Sequence, residues 1–160
     1  MTSGPPLYPG DSKMDLIDHA HLRWDHYTDD RFDYPIDYWG AVLDIRPDGH
    51  VDVLYRWEPN RYCHFHRHVS PISSVVLAGE LHVIEYVDGR ETGRRIRKAG
   101  DWAHKEDVED HMEMGGPEGA LVMFNLFAPD GRLTQQLGPS GEVLNTITTE
   151  ALRARHQALL

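Results

Sequence analysis

Short apolar runs, each closed by turn residues, follow one another along most of this chain. Runs of four to eight residues with alternating or continuous apolar character, bounded by glycine, proline or aspartate, are typical of β-strands. They fall at residues 41–45, 51–57, 74–78, 81–86, 94–98, 121–127, 133–137 and 143–146. The turns between them include Pro47-Asp48-Gly49, Asp88-Gly89 and Pro129-Asp130-Gly131. Many short strands joined in this way predict an all-β sandwich or barrel.

The two ends of the chain depart from this pattern. Residues 1–35 show no clear period and carry scattered aromatic side chains, so we expect an irregular N-terminal extension there. The barrel itself is expected over 36–147. Residues 148–160 predict one helix on the outside of the barrel, because Thr148 or Thr149 can cap it and Glu150 suits its first turn. Its apolar stripe would consist of Ala151, Leu152, Ala158 and Leu159.

Composition narrows the possible functions. The chain has 160 residues, of which 40% are hydrophobic and 26% charged, as in one globular domain. A formal net charge of −10 argues against nucleic acid as a partner, because phosphate contacts need clustered lysine and arginine. No apolar run is long enough to span a bilayer, and the first residues do not resemble a signal peptide. With Cys63 as the only cysteine, we expect a cytoplasmic protein without membrane partners.

The most informative chemical feature is the run of alternate histidines His64, His66 and His68. Residues two apart on a strand share one face, so an extended backbone would point the three imidazoles the same way. Neutral imidazole is the commonest metal ligand near pH 7. Three such residues span about 13 Å, which is too far for all of them to reach one ion at about 2 Å. The pattern therefore favours a pair of ligands from this run, with a third from elsewhere.

Two motifs resemble those of the cupin superfamily. The first is His66-Arg67-His68 followed by a spacer and Gly79, and the second begins at Gly100-Asp101 and places His111 eleven residues after its glycine. The resemblance covers roughly residues 50–130 and implies the all-β cupin fold, a double-stranded β-helix or jelly-roll barrel. It also implies that His66, His68 and His111 bind a metal ion. Ser73 stands where many cupins carry a glutamate ligand, which implies a three-histidine site without ligand charge.

Such a site resembles that of the three-histidine cupin dioxygenases, which include the acetylacetone-cleaving and 2,4′-dihydroxyacetophenone dioxygenase types. The resemblance implies a non-haem Fe(II) dioxygenase that uses O₂ to cleave a C–C bond beside a carbonyl in a small enolisable or phenolic substrate. Two alternatives stay open. With Zn, Mn or Ni the same site would suit an isomerase, lyase or decarboxylase, and a metal-dependent sensor would bind a small molecule without turnover. Because cupin barrels often dimerise, we also expect a homodimer.

Further residues are expected around the metal ligands. Catalytic roles are predicted for His64, as a substrate contact or acid–base group, and for Ser73, as a group that binds a water or substrate oxygen. For His64 the roles of ligand or purely structural residue remain open, and His104 is an alternative ligand. Cys63 alternates away from His64 and is not expected to bind the metal. The pocket wall or the surroundings of the ligands are expected to include Trp57, Trp102, His104, Glu109 and Met123.

Overall fold

The computed structural model describes residues 15–159 and confirms an all-β fold with one C-terminal helix. The expected N-terminal extension contains a strand, and its residues 1–14 lie outside the described part of the chain. In chain order the elements are β1 (Asp25–Asp29), β2 (Ile36–Ile45), β3 (His50–Trp57), β4 (His66–His68), β5 (Ile72–Val87), β6 (Arg90–Lys98), β7 (Trp102–Lys105), β8 (Glu109–Phe127), β9 (Arg132–Leu137), β10 (Val143–Thr148) and α1 (Thr149–Ala158).

Two long strands, β5 and β8, take part in both halves of the barrel. The C-terminal part of β8 lies between β3 and the first half of β5, which also pairs with β7. The N-terminal part of β8 lies between β4 and the second half of β5, which also pairs with β6. All of these pairings are antiparallel. The first sheet is therefore β1-β2-β3-β8-β5-β7, and the second sheet is β10-β9-β4-β8-β5-β6.

Glycines mark the place where β5 and β8 cross from one sheet to the other. Gly79 on β5 and Gly119 on β8 both have a positive φ, of 69° and 78°. The register between the two strands shifts after Gly79, as expected at a β-bulge. A Cβ atom on Gly79 would lie 2.2 Å from the carbonyl oxygen of Gly119. Gly79, the glycine of the first motif, thus permits β5 to cross the backbone of β8 closely while it continues as one long, bent strand.

Apolar side chains cover both faces of the first sheet. Its inner face forms the main core, in which Val51, Val53 and Phe124 are buried. Its outer face carries a second cluster, in which Leu22 from the N-terminal segment packs with the buried residues Ala41, Leu43, Leu54 and Leu121. The described part of the N-terminal segment around Leu22 therefore belongs to the folded domain, since it shields the outer face of this sheet from water.

The C-terminal helix packs on the barrel against β2 and β10. The Thr148 side chain caps it by accepting a hydrogen bond from the Ala151 amide at 3.1 Å. Its buried residues are Leu152 and His156, whereas Ala158 and Leu159 of the expected stripe are exposed. No helix among residues 15–159 is long and apolar enough to cross a membrane.

Replacing Gly79 by alanine tests the crossing. We expect Gly79→Ala to lower the free energy of unfolding well beyond the about 1–2 kcal/mol that a left-handed backbone costs an alanine, because its Cβ would also displace the Gly119 carbonyl. Gly100→Ala is the matched control, since Gly100 has a φ of 93° and no atom within 4 Å of an added Cβ. Urea unfolding measures both. Equal losses would contradict the role given to the crossing.

Candidate metal centre

Four potential metal donors meet on the inner face of the second sheet. His66 and His68 come from β4, and His111 and Glu113 come from β8. His66 lies directly opposite His111 in the antiparallel ladder, where Cβ atoms approach to about 4.5–5.5 Å. One potential ligand atom from each residue lies within 4.8 Å of all the others. All four side chains are buried, with His66 9%, His68 7%, His111 8% and Glu113 5% exposed.

The separations between the donor atoms suit a single ion. His66 Nε2 lies 3.0 Å from His68 Nε2 and 3.1 Å from Glu113 Oε1. His111 Nε2 lies 3.4 Å from the same Glu113 oxygen. Two ligands that are each about 2.1 Å from an ion, in octahedral or tetrahedral geometry, are about 3.0–3.4 Å apart. The group therefore has the size of a first-row transition-metal site.

The hydrogen bonds of the imidazoles point to the same conclusion. The Nδ1–H of His66 donates to the His64 carbonyl at 2.7 Å, which leaves a lone pair on Nε2. His111 Nε2 is buried, and its contact with Glu113 Oε1 at 3.4 Å is longer than the about 2.7–3.2 Å that is usual for an N–H···O hydrogen bond. Buried polar atoms in folded proteins are almost always paired. A metal ion would satisfy this nitrogen, so the residues present fit a divalent cation.

The acidic member of the group has an unusually stable charge. Burial by itself would raise the pKa of Glu113, but hydrogen bonds and charge from His111 and His66 hold that pKa well below its usual value. Burial lowers the pKa of His66, yet Cys63 and Glu113 outweigh it and leave the pKa well above the usual value. Burial, with His66 and His111 nearby, keeps the pKa of His68 far below its usual value. Without an ion, the donors hold a proton on His66 beside the Glu113 carboxylate.

Glu113 is the donor that the sequence interpretation missed. The sequence implied three histidines without ligand charge, because Ser73 occupies the position of the usual glutamate. The structure supplies a carboxylate from β8 instead of β5. Its sequence signal is weak: Glu113 shares a strand face with His111, two residues before it, but it belongs to an acidic run that resembles solvated charge.

A cavity of about 380 Å³ lies between the two sheets, and three of the four metal donors, His66, His68 and Glu113, lie in its wall. The rest of the wall includes the aromatic side chains Tyr38, Tyr55, Trp57 and Phe124. Trp57 thus lies in the pocket wall, and its indole Nε1 is buried without a hydrogen-bond partner among the described residues. The structure therefore joins a metal-binding group to a cavity large enough for a small molecule.

His64 lines this cavity outside the group of four donors. Its Nε2–H donates to Asp29 Oδ2 at 3.0 Å, and its Nδ1 lies 2.9 Å from the Tyr38 hydroxyl. Arg31, followed by His64, holds the pKa of the Asp29 carboxyl far below its usual value, so Asp29 is an acceptor. Burial lowers the pKa of His64 despite the nearby Asp29 charge. A neutral His64 accepts a hydrogen bond from Tyr38 and presents its ring to the cavity.

Several expected site residues lie elsewhere. Ser73 faces outward and its hydroxyl lies 2.8 Å from His104 Nδ1, because it alternates with Ile72 and Ser74, which face inward as His68 does. His104 is therefore also outside the site. Trp102 is 68% exposed and stacks on His104 instead of lining the pocket.

Met123, Glu109 and Cys63 lie at different distances from the metal donors. Met123 packs with the outer apolar cluster, since it alternates with the inward-facing Phe124. Glu109 lies near the donors, with Oε1 3.5 Å from His111 Nδ1. Cys63, which was expected to point away, is buried in the cavity wall with Sγ 3.7 Å from His66 Nδ1. The alternation fails for Cys63 because residues 63–65 are not part of a strand.

Known structures share this fold although the sequences have diverged. No protein-family profile and no curated protein matches the chain. An acetylacetone dioxygenase from Acinetobacter johnsonii matches over 100% of both chains, with a TM-score of 0.69 and 10% identity. A candidate acetylacetone dioxygenase from Methylibium petroleiphilum matches over 93% of this chain and 98% of its own, with a TM-score of 0.66 and 12% identity. An RmlC-like cupin protein from Ralstonia eutropha matches over 84% of this chain and 80% of its own, with a TM-score of 0.64 and 11% identity.

These likenesses confirm that the chain has the cupin fold, which its two motifs implied. At such low sequence identity they show the fold alone. The activities named for the neighbours are properties of those proteins, and the chemistry of this chain has to be argued from its own residues.

Loss of a donor should remove the metal. We expect His66→Ala and Glu113→Gln to weaken the binding of a divalent ion by more than about 100-fold, since even the outer partners of metal ligands contribute about 10–100-fold. His104→Ala is the matched control, because this histidine lies outside the donor group. Metal content after dialysis and calorimetric titration measure the effect. Metal loss in His104→Ala, with retention in His66→Ala, would overturn the assignment.

Metal binding should weaken as the pH falls. The raised pKa of His66 means that an ion has to displace a proton, so affinity falls as the pH drops through that value, by up to about tenfold per pH unit. Calorimetry with Zn(II) in buffers of different ionisation enthalpy should detect the released proton. In Glu113→Gln the drop should move to lower pH, because the carboxylate that helps to raise the pKa of His66 is gone. A pH-independent affinity without proton release would contradict this account.

Proposed function

We propose that this protein is a non-haem Fe(II) dioxygenase that cleaves a C–C bond beside the carbonyl of a small enolisable or phenolic substrate. The observation that carries the proposal is the position of three buried donors, His66, His68 and Glu113, in the wall of a mostly apolar cavity. Bound Fe(II) would supply Lewis acidity and the means to react with O₂. The protein's own residues would hold the ion, bind the substrate and exclude water.

The cavity suits a small, partly apolar carbonyl compound. Its volume of about 380 Å³ is near the lower end of small-molecule sites, which is about 300 Å³. Tyr55, Trp57 and Phe124 supply apolar walls, which would exclude bulk water from the reaction. The same walls offer no cluster of cations for a highly charged substrate, since Arg31 is paired with Asp29 and Arg155 with Asp25.

The charge of Glu113 limits the charge that a substrate bound to the metal ion can carry. Three neutral imidazoles and one carboxylate leave a divalent ion with one net positive charge. A monoanion, such as an enolate or a phenolate, would neutralise it in the low-dielectric cavity. A dianionic substrate would leave a buried excess of negative charge, which is costly. Glu113 thus supports a substrate that ionises once.

The same carboxylate favours a second candidate function. Carboxylate donors suit Mn as well as Fe, and imidazole suits Zn and Ni. With one of these metals the protein would be an isomerase, lyase or decarboxylase, in which a carboxylate beside the substrate is available to accept a proton. A metal-dependent sensor without turnover is the remaining alternative from the sequence. The homodimer and the cytoplasmic location also stay predictions, and light scattering would test the former.

Oxygen uptake distinguishes these functions. Protein loaded with Fe(II) under anaerobic conditions should consume O₂ when β-diketones or hydroxyacetophenones are added, and mass spectrometry should detect the cleaved acids. Protein loaded with Zn(II) is the control for background oxidation. Conversion without O₂ uptake would favour the non-oxidative enzyme. Substrate binding without conversion under any metal would favour the sensor, and either result would overturn the dioxygenase proposal.

His64 should affect turnover without affecting the metal. We expect His64→Gln to retain metal, because the His64 carbonyl that orients His66 belongs to the backbone. Activity should fall by about 10²–10⁴-fold, the usual contribution of an acid–base group, because the Tyr38–His64–Asp29 contacts are lost. Metal analysis and oxygen uptake on one preparation measure both effects. Unchanged uptake at full metal content would assign His64 to a structural role.

A further inference from the structure

A second, much smaller cavity lies on the opposite side of the metal donors. Its volume is about 30 Å³, and it shares His68 and Glu113 with the large cavity. His111 lines only the small cavity, whereas His66 lines only the large one. The donor group is therefore a partition between two compartments of different size and chemistry.

One wall of the small cavity is basic and is formed by β6 and β7. Its cationic side chains are Arg95, Arg97 and Lys105. Glu109 pairs with both Arg95 and Lys105, so these three residues largely satisfy one another. Arg97 has no carboxylate within 4.0 Å among residues 15–159, and its hydrogen bond to the Ser74 hydroxyl is long, at 3.4 Å. Arg97 is thus a half-buried cation whose fork of donors is mostly unused.

Other buried donors around the same cavity also lack partners. Within the described part of the chain, Arg95 Nε and His68 Nδ1 have no hydrogen-bond partner, and the contact of His111 Nδ1 with Glu109 Oε1 is long, at 3.5 Å. An arginine nitrogen only donates, and each imidazole Nδ1 would also donate if its Nε2 bound a metal ion. Buried donors of this kind are costly unless an acceptor is present. The residues that line the small cavity therefore include buried hydrogen-bond donors whose bonds the described residues do not satisfy.

We propose that the small cavity binds a small carboxylate anion of the size of formate, held by Arg97 beside the metal donors. A cavity needs about 10–15 Å³ of such volume for each water molecule, so 30 Å³ accommodates about two to three heavy atoms. A planar guanidinium matches a carboxylate with two parallel hydrogen bonds. A carboxylate accepts more hydrogen bonds from these donors than a water molecule can accept, and its charge is opposite to that of Arg97.

Charges in the surroundings permit this anion. The carboxylates that line the cavity are Asp107, Glu109 and Glu113. Asp107 is exposed, Glu109 is engaged by Arg95 and Lys105, and Glu113 is engaged by the imidazoles. A divalent ion at the donor group would add positive charge to the shared wall. Formate binding requires no turnover, so a test of this site does not depend on the proposed dioxygenase activity.

Titration of carbon-13-labelled formate, followed by NMR, tests the site in the full chain with and without Zn(II). We expect saturable binding in the wild type and at least about tenfold weaker binding in Arg97→Gln, because charged hydrogen bonds contribute about 1.5–3 kcal/mol each. Arg94→Gln is the matched control, since Arg94 is exposed on the same strand and pairs with Glu91. Binding should persist, although weaker, when Zn(II) is removed.

Three results would overturn the proposal. The first is equal affinity in Arg97→Gln and the wild type. The second is binding that requires Zn(II) and ignores Arg97, which would place formate on the metal ion in the large cavity. The third is the absence of a bromide anomalous peak near Arg97 in soaked wild-type crystals. If Arg97→Gln fails to fold, formate binding by Arg97→Lys and the bromide peak test the proposal instead. Lysine keeps the positive charge but cannot form the bidentate hydrogen bonds of arginine.

Discussion

The antiparallel pairing of β4 with β8 is the constraint on which the candidate site depends. It sets His66 opposite His111 and brings His68 and Glu113 onto the same buried face. β4 is only three residues long, and β9 holds its other edge. Burying three imidazoles and a carboxylate is unfavourable unless they are paired or bind an ion. Here Glu113 pairs with His66 and His111, and a bound cation would in addition satisfy the His111 nitrogen whose contact with Glu113 is long.

The elements that close the large cavity also organise its polar groups. β1 contributes Asp29, which binds His64, and Asp25, which binds Arg155 of the C-terminal helix at 2.5 Å. Arg155 in turn lies over the Tyr27 ring at 4.7 Å. The end of the N-terminal segment and the C-terminal helix thus meet over the cavity. Both have a role in the site as well as in stability, although neither belongs to the motifs that carry the metal donors.

The donor group faces two different environments. On one side is the large cavity, which has aromatic side chains in its wall and few free charges. On the other side is the small cavity, whose wall includes Arg95, Arg97 and Lys105. In a low-dielectric interior this asymmetry matters, because charges act over longer distances than in water. Glu113 lines both compartments and lowers the charge of the group as seen from each of them. Its contribution from β8, instead of from the usual position on β5, distinguishes this site from the one implied by the motifs.

The amino-acid sequence by itself determined the fold class and most of the donor group. The alternation of apolar residues and the Gly/Asp/Pro turns predicted the strands, and the resemblance of two motifs to those of cupins implied which three histidines meet. Local alternation failed at Cys63, which lies in the cavity wall beside His64 because residues 63–65 are not part of a strand. Ser73 was expected in the site from its position in the first motif, but it alternates with the inward-facing Ile72 and Ser74 and therefore faces outward. Only the tertiary structure decided the role of Glu113, the partners of His64 and the two cavities. Each of these depends on contacts between residues far apart in the chain, and the pattern within a single strand carries no information about which distant strand becomes its neighbour.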